Sequence, residues 1–195
     1  MTKTIPPEQL ETYRQFFKKM NVFMLWMWRL GFRKWLNICP PLFGRILVIT
    51  HIGRKSGMKR RTPVNFARID GELYCLAGFG TLSDWYRNLQ KTPQVEVWLP
   101  GSWWDAVAED ANQDARRLPI LRQVIKDSGF AGFAFGVNAY RLSDAELDAL
   151  TQDYRLLHLR CTGRRHGRGG PGDLAWVWLI PAGAALLLLL SRWLG

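Results

Sequence analysis

The chain has 195 residues, 48% of them hydrophobic, with ten tryptophans and a formal net charge of +11. That composition excludes an intrinsically disordered protein, and the length suits one well-buried domain with additions at its ends. The charge is uneven: residues 1–61 hold 13 Lys/Arg against 2 acids, 62–159 hold 9 against 13, and 160–195 hold 5 against Asp173 alone, which favours specific anionic partners over a nucleic-acid coat.

The first predicted element is a basic, aromatic helical segment within residues 1–43. Its core, YRQFFKKMNVFMLWMWRLGFRKWLN (13–37), is broken by Arg14, Lys18, Lys19, Arg29, Arg33 and Lys34. The longest uncharged stretch, 20–28, is nine residues, too short to span a bilayer, and no small-residue cleavage site follows. Two readings stand side by side. The helix covers the core with its apolar side, or its Trp, Phe and Met face inserts shallowly into an anionic membrane surface.

Residues 44–160 read as one domain. RILVITH (45–51) is β-branched and apolar after Pro40 and Pro41, a strand. RTPVNFARI (61–69) alternates, Asp70-Gly71 is a hairpin turn, and ELYCLAG (72–78) returns. SDWYRNLQK (83–91) predicts a short helix with Ser83 as N-cap and Trp85, Tyr86 and Leu89 on its apolar side. QVEVWL (94–99), a Pro100-Gly101 turn and SWWDAVAED (102–110) form a second hairpin, and residues 111–128 look helical. SDAELDAL (143–150) opens with a Ser143/Glu146 capping box, and YRLLHLRC (154–161) supplies a last strand. Six strands in hairpins with segregated helices predict an α+β fold around a small antiparallel barrel.

The C-terminal end changes character. CTGRRHGRGGPGD (161–173) reads as a glycine-rich, basic linker. Residues 174–191 are uncharged, about 27 Å as a helix, enough to cross most bilayer cores. Trp176, Trp178 and Trp193 stand near the ends of the run, where interfacial aromatics belong. A single transmembrane anchor over 174–193 is therefore expected. Arg160, Arg164, Arg165 and Arg168 precede it and only Arg192 follows, which leaves the main domain cytoplasmic.

Chemistry-bearing motifs are few. GxSxG, HExxH and GxxxxGK[ST] are absent, and GFGTLS (78–83) lacks the third glycine and the parallel setting of a dinucleotide fingerprint. Cys39, Cys75 and Cys161 are widely spaced and form no CxxC pair, so they read as ordinary thiols in a reducing compartment, with no metal site. His51 and His158 fall in strand-like runs and His166 in the linker; all three read as satisfied core or surface residues. No catalytic residue is assigned. A chain without an acid, base or metal set, but with an anion-binding loop, can borrow its chemistry from a cofactor.

That loop is THIGRKSGMKRRTP (50–63), five cations around a bend between two apolar runs. Gly53 and Gly57 free the backbone to bend and turn N–H groups toward an anion. Arg54 and Lys55 project from the turn. On the next strand Arg60 and Thr62 share one face and Arg61 and Pro63 the other.

These residues resemble the deazaflavin-dependent nitroreductase-like proteins, whose fold is a split β-barrel. ITHIGRKSGMKRRTP matches that family's threonine, GRKSG, arginine and proline pattern. DGELYCLAGFGTLSDWYRNLQKTPQVEV (70–97) matches its second block, a glycine-rich bend followed by WYxNL and a TP before a strand. The resemblance runs over about residues 16–159. It implies a pocket for coenzyme F420, a deazaflavin with a phosphate and a glutamate tail, and FMN as second choice. Arg54, Lys55, Ser56 and Arg60 would hold the anionic tail, with Thr62 and Pro63 shaping the adjacent strand. Gly78, Phe79 and Gly80 would run their backbone along the ring edge. Trp85 and Asn88 would brace the loop from the helix behind, a role that for Trp85 competes with plain core packing.

Two departures stand out. The loop at 78–84 is shorter than in the nitroreductase-type members. The tyrosine-rich stretch before their last strand is here FAGFAFGVNAYRLSD (130–144), with Tyr140 its only tyrosine. A more apolar acceptor pocket follows, suiting hydride transfer to a lipophilic acceptor such as a quinone, a nitroaromatic or an enone. The alternatives are a non-catalytic carrier of an anionic cofactor or lipid, and an FMN- or haem-binding relative. Expected partners are the acceptor and membrane lipids, not nucleic acid; a homodimer is also compatible.

Overall fold

The computed structural model describes residues 7–36, 44–134 and 136–194; Cys39, Pro40, Pro41 and Phe135 lie outside the described residues. The strands are β1 (Ile46–Ile52), β2 (Lys59–Ile69), β3 (Glu72–Ala77), β4 (Gln94–Leu99), β5 (Ser102–Asp110) and β6 (Arg155–Arg164). The helices are α1 (Pro7–Arg29), α2 (Arg33–Leu36), α3 (Asp84–Lys91), α4 (Arg117–Lys126), α5 (Phe130–Ala134), α6 (Asp144–Leu150) and α7 (Leu179–Leu194).

The strands close into an antiparallel barrel in the order β1-β2-β3-β6-β5-β4. Alternation decides what fills it. Leu47 and Ile49, Val64 and Phe66, and Leu157 and Leu159 face inward and share one core. The intervening residues face outward and need covers. Val48, Trp98 and Trp103 pack under Trp28 of α1, which is fully buried. Ala67, Tyr74 and Leu156 pack under Ile120 and Val124 of α4. The β2–β3 turn has φ 53° at Asp70 and 86° at Gly71, both left-handed, as a type I′ hairpin requires.

Most predicted elements form within a residue or two. The helix expected over 111–128 is shorter, because Asp110 accepts from the Asn112 backbone N–H (2.8 Å) and Asp114 from that of Arg116 (2.7 Å). These local carboxylate bonds hold the chain in turns and delay the helix to Arg117. The capping box at Ser143 and Glu146 is formed. Ser83 occupies the N-cap position of α3, but its side chain makes no capping bond.

The C-terminal segment departs most from expectation. β6 continues to Arg164, paired with Trp104 past an irregularity at Asp105 and Ala106. The glycine-rich stretch is then clamped to the end of α1. The Asp173 carboxylate accepts from Arg29 Nε (3.0 Å) and Nη2 (3.1 Å). Leu174 N–H donates to the Arg29 carbonyl (2.9 Å), and Trp178 Nε1–H donates to that of Leu30 (3.0 Å). Ala175–Trp178 winds into a 3₁₀ turn, leaving 16 residues for α7, about 24 Å against a hydrocarbon core of about 30 Å. The continuous helix expected from residue 174 begins instead at Leu179. Among the described residues no helix is long and apolar enough to cross a membrane.

Asp173 is the keystone of this clamp. Asp173→Ala removes charge-assisted hydrogen bonds worth about 1.5–3 kcal/mol, lost as local opening rather than global unfolding. Trypsin should cut after Arg164, Arg165 and Arg168 about tenfold faster or more, with the barrel's thermal midpoint nearly unchanged. An unaltered digestion rate would mean that other contacts hold the segment.

Candidate functional site

Where β1 and β2 leave the barrel core, their inward-facing line becomes polar: Leu47, Ile49, then His51; Phe66, Val64, then Thr62 and Arg60. This end of the barrel opens into a cleft of about 360 Å³, within the range of small-molecule sites. Phe17, Met20, Asn21 and Met24 line it from α1. Their i, i+3, i+4, i+7 spacing puts them on one helical face. The bend after β3 contributes Gly78 and Phe79, and the start of α3 contributes Trp85 and Asn88. Phe17 meets Phe79 edge-on at 6.0 Å, joining α1 to that bend.

The cleft is lined by two chemically different sets of side chains. Phe17, Met20, Met24, Phe79, Trp85 and Ile125 supply apolar wall. Arg60 and Lys18 also line the cleft, and neither side chain is in an ion pair or hydrogen bond among the described residues. Asp84, the acid among the described lining residues, is already matched by Arg54 (2.8 Å) and Arg87 (3.3 Å). The hydrogen bond from Arg54 holds its carboxyl below the usual carboxylate range.

A polar relay backs the polar part of the lining. The buried Asn88 uses Oδ1 to accept from Arg54 N–H (3.1 Å) and Arg54 Nη1 (3.0 Å). Its Nδ2 therefore donates to His51 Nδ1 (3.3 Å), which fixes the neutral Nε2–H tautomer. His51 Nε2–H then donates to Thr62 Oγ1 (3.0 Å), leaving the Thr62 hydroxyl proton to donate into the cleft. Burial lowers the His51 pKa to about 4, helped by the nearby Arg60 charge, so the ring is neutral at pH 7 and keeps this polarity.

The structure gathers Arg60, Thr62, Pro63, Gly78, Phe79, Trp85 and Asn88 around one cleft. Arg54, Lys55, Ser56 and Gly80 are not among its lining residues. Arg54 is a strut between the β1–β2 turn and α3, and Lys55 and Ser56 are exposed at the turn. Gly80 has φ +52°, and a Cβ there would strike the Asp153 carbonyl, so its role is close backbone approach. Trp85 serves both readings made of it, packing on the barrel core and lining the cleft. Arg61, expected on the opposite face, also lines the cleft, and its guanidinium is engaged on the outer face. It stacks on Trp98 at 4.6 Å and lies 3.9 Å from Asp173.

Sequence reasoning did not single out His51 as a cleft residue, and no local pattern marks it. The α1 wall was legible in principle from its 3–4 spacing, but the helix is apolar on more than one side. Tyr154 also lines the cleft, its phenol pushed well above the usual range by burial. Tyr140 is exposed beside Lys126. No group of three His, Cys, Asp or Glu that could hold a metal occurs among the described residues.

Residues 37–131 match the family model described as F420H(2)-dependent quinone reductase. Among solved structures, a conserved hypothetical protein from Mycobacterium tuberculosis is 18% identical over 62% of this chain and 74% of its own, with a TM-score of 0.44. An F420-H2 dependent reductase is 19% identical over 60% and 94%, with a TM-score of 0.42. A haem storage protein from Vibrio cholerae is 19% identical over 66% and 89%, with a TM-score of 0.39.

Proposed function

We propose that this chain, whose residues 37–131 match the F420H(2)-dependent quinone reductase family model, is a deazaflavin-dependent oxidoreductase that passes hydride to a lipophilic, quinone-like acceptor at a membrane surface. The observation that carries this reading is the mixed lining of the cleft: unpaired Arg60 and Lys18 beside aromatic and methionine walls. A molecule with a flat ring and a polyanionic tail suits both kinds of lining. The reduced deazaflavin, when bound, supplies the hydride. The chain's residues hold and orient. Arg60 and Lys18 take the anionic groups, the Thr62 hydroxyl donates a hydrogen bond set by His51, and the α1 wall excludes water from the apolar end.

Exposed apolar residues support a membrane location. α1 turns Phe16, Phe23 and Trp26 outward, Trp35 is exposed on α2, and α7 exposes Leu186–Leu190. Such faces insert shallowly into lipid. An acceptor dissolved in the bilayer would then reach the cleft beside α1.

Fluorescence titration with the deazaflavin, FMN and haem, followed by turnover with a menaquinone-like quinone, a nitroaromatic and an enone, tests the proposal. The deazaflavin should bind most tightly, and its reduced form should be oxidised fastest by the quinone. Tight binding without turnover on any acceptor would make the protein a carrier. Tighter FMN or haem binding would replace the cofactor.

A further inference from the structure

A second cleft, of about 410 Å³, lies on the opposite side of Arg61 from the cofactor site, between the β4–β5 turn, the end of β6 and the glycine-rich segment. Resting on the membrane attachment proposed above, we propose that it binds the phosphodiester headgroup of an anionic phospholipid.

Three features define the ligand. Arg33, Arg164 and Arg168 line the cleft. The side chains of Arg164 and Arg168 have no ion pair or hydrogen bond among the described residues, whereas the acid in the cleft, Asp173, is already held by Arg29. Arg33 is positioned by the carbonyls of Pro100 (2.8 Å) and Pro171 (3.4 Å). The net field is that of an anion site.

The backbone adds donors. Gly167, Gly169 and Gly172 have φ of 98°, 87° and 85°, the left-handed values that turn successive N–H groups into an anion-binding concavity. The N–H groups of residues 166–170 make no hydrogen bond among the described residues. Gly170 is pressed on Trp103, where a Cβ would lie 2.8 Å from a ring carbon, so the loop is held in place.

Position selects a lipid over a free phosphate. Trp176 lines the cleft, and the chain runs directly into exposed Trp178, Leu179 and Ile180 and then α7. A phosphate seated here would stand beside the aromatic and leucine surface that acyl chains can cover.

The test is vesicle flotation of the full-length chain with phosphatidylcholine vesicles and with the same vesicles containing 30% phosphatidylglycerol. Each basic residue at an anionic leaflet contributes a factor of about five. Arg164→Gln/Arg168→Gln should therefore bind phosphatidylglycerol vesicles about 30-fold more weakly. Its binding to phosphatidylcholine should be unchanged. The charge-matched pair Arg68→Gln/Arg141→Gln, away from the cleft, should lose less than about threefold. Equal losses from both pairs, or none from the first, overturn the headgroup site. Displacement of the protein by millimolar inorganic phosphate would make it a free-anion site and also overturn it. Failure to bind either vesicle sinks the membrane attachment with it, while the cofactor titration above would stand independently.

Discussion

Arg60→Ala should weaken deazaflavin binding about 10- to 150-fold, the loss of one charge-assisted hydrogen bond of about 1.5–3 kcal/mol, with the fold intact. The side chain is exposed at the mouth of the cleft and unpaired, so its removal strands no buried partner. Gly53 is what lets it lie there. A Cβ on Gly53 would come within 2.8 Å of both Arg60 Nε and Ser56 Oγ, so Gly53→Ala should move Arg60 and reproduce part of the loss. Arg54→Ala should behave differently. It breaks the bonds to Asp84 and Asn88, so binding and thermal midpoint should fall together. Lys55→Ala, at the exposed turn, should change little. A cofactor fragment stripped of its phosphate and glutamates should be indifferent to Arg60. If the intact cofactor binds Arg60→Ala as tightly as the native chain, the tail lies elsewhere.

The barrel was legible because two-residue periodicity and turn chemistry act locally. Asp70-Gly71 announces its hairpin, and Leu47/Ile49 against Val48/Thr50 announces two faces. Strand order was not. The β3–β6 and β5–β6 pairings that close the barrel join residues about 50 to 90 positions apart and leave no local trace. The same holds for the site. Arg60, Thr62 and Asn88 were found through motif spacing. His51 matters because two strands and a helix converge on its ring, a fact visible only in space. The C-terminal segment misled for a related reason. Composition marks 161–173 as a linker, but Asp173 finds Arg29 at a separation of 144 residues, and that one pair turns a tether into a clamp.

His51 should make the folded protein acid-sensitive in a defined window. Its pKa falls from an ordinary value of 6.5 to about 4 in the fold, so below pH 6.5 the unfolded chain binds a proton that the folded chain refuses. The contribution to stability is full above pH 6.5 and declines as pH falls, reaching a loss of about 3 kcal/mol near pH 4. The cause is burial, which disfavours the charged ring, with the Arg60 charge beside it; a protonated ring would also present N–H to Asn88 Nδ2, a donor facing a donor. Asp84, Glu109 and Glu146, held below their ordinary values, contribute their own losses mainly below this window. His51→Gln, whose amide can accept from Asn88 and donate to Thr62 without titrating, isolates the effect. Denaturant unfolding between pH 7.5 and 4 should show the native chain losing about 3 kcal/mol more than His51→Gln across that range. Parallel curves would mean that His51 is not buried neutral. The relay from Asn88 through His51 to the Thr62 hydroxyl would then lose its basis.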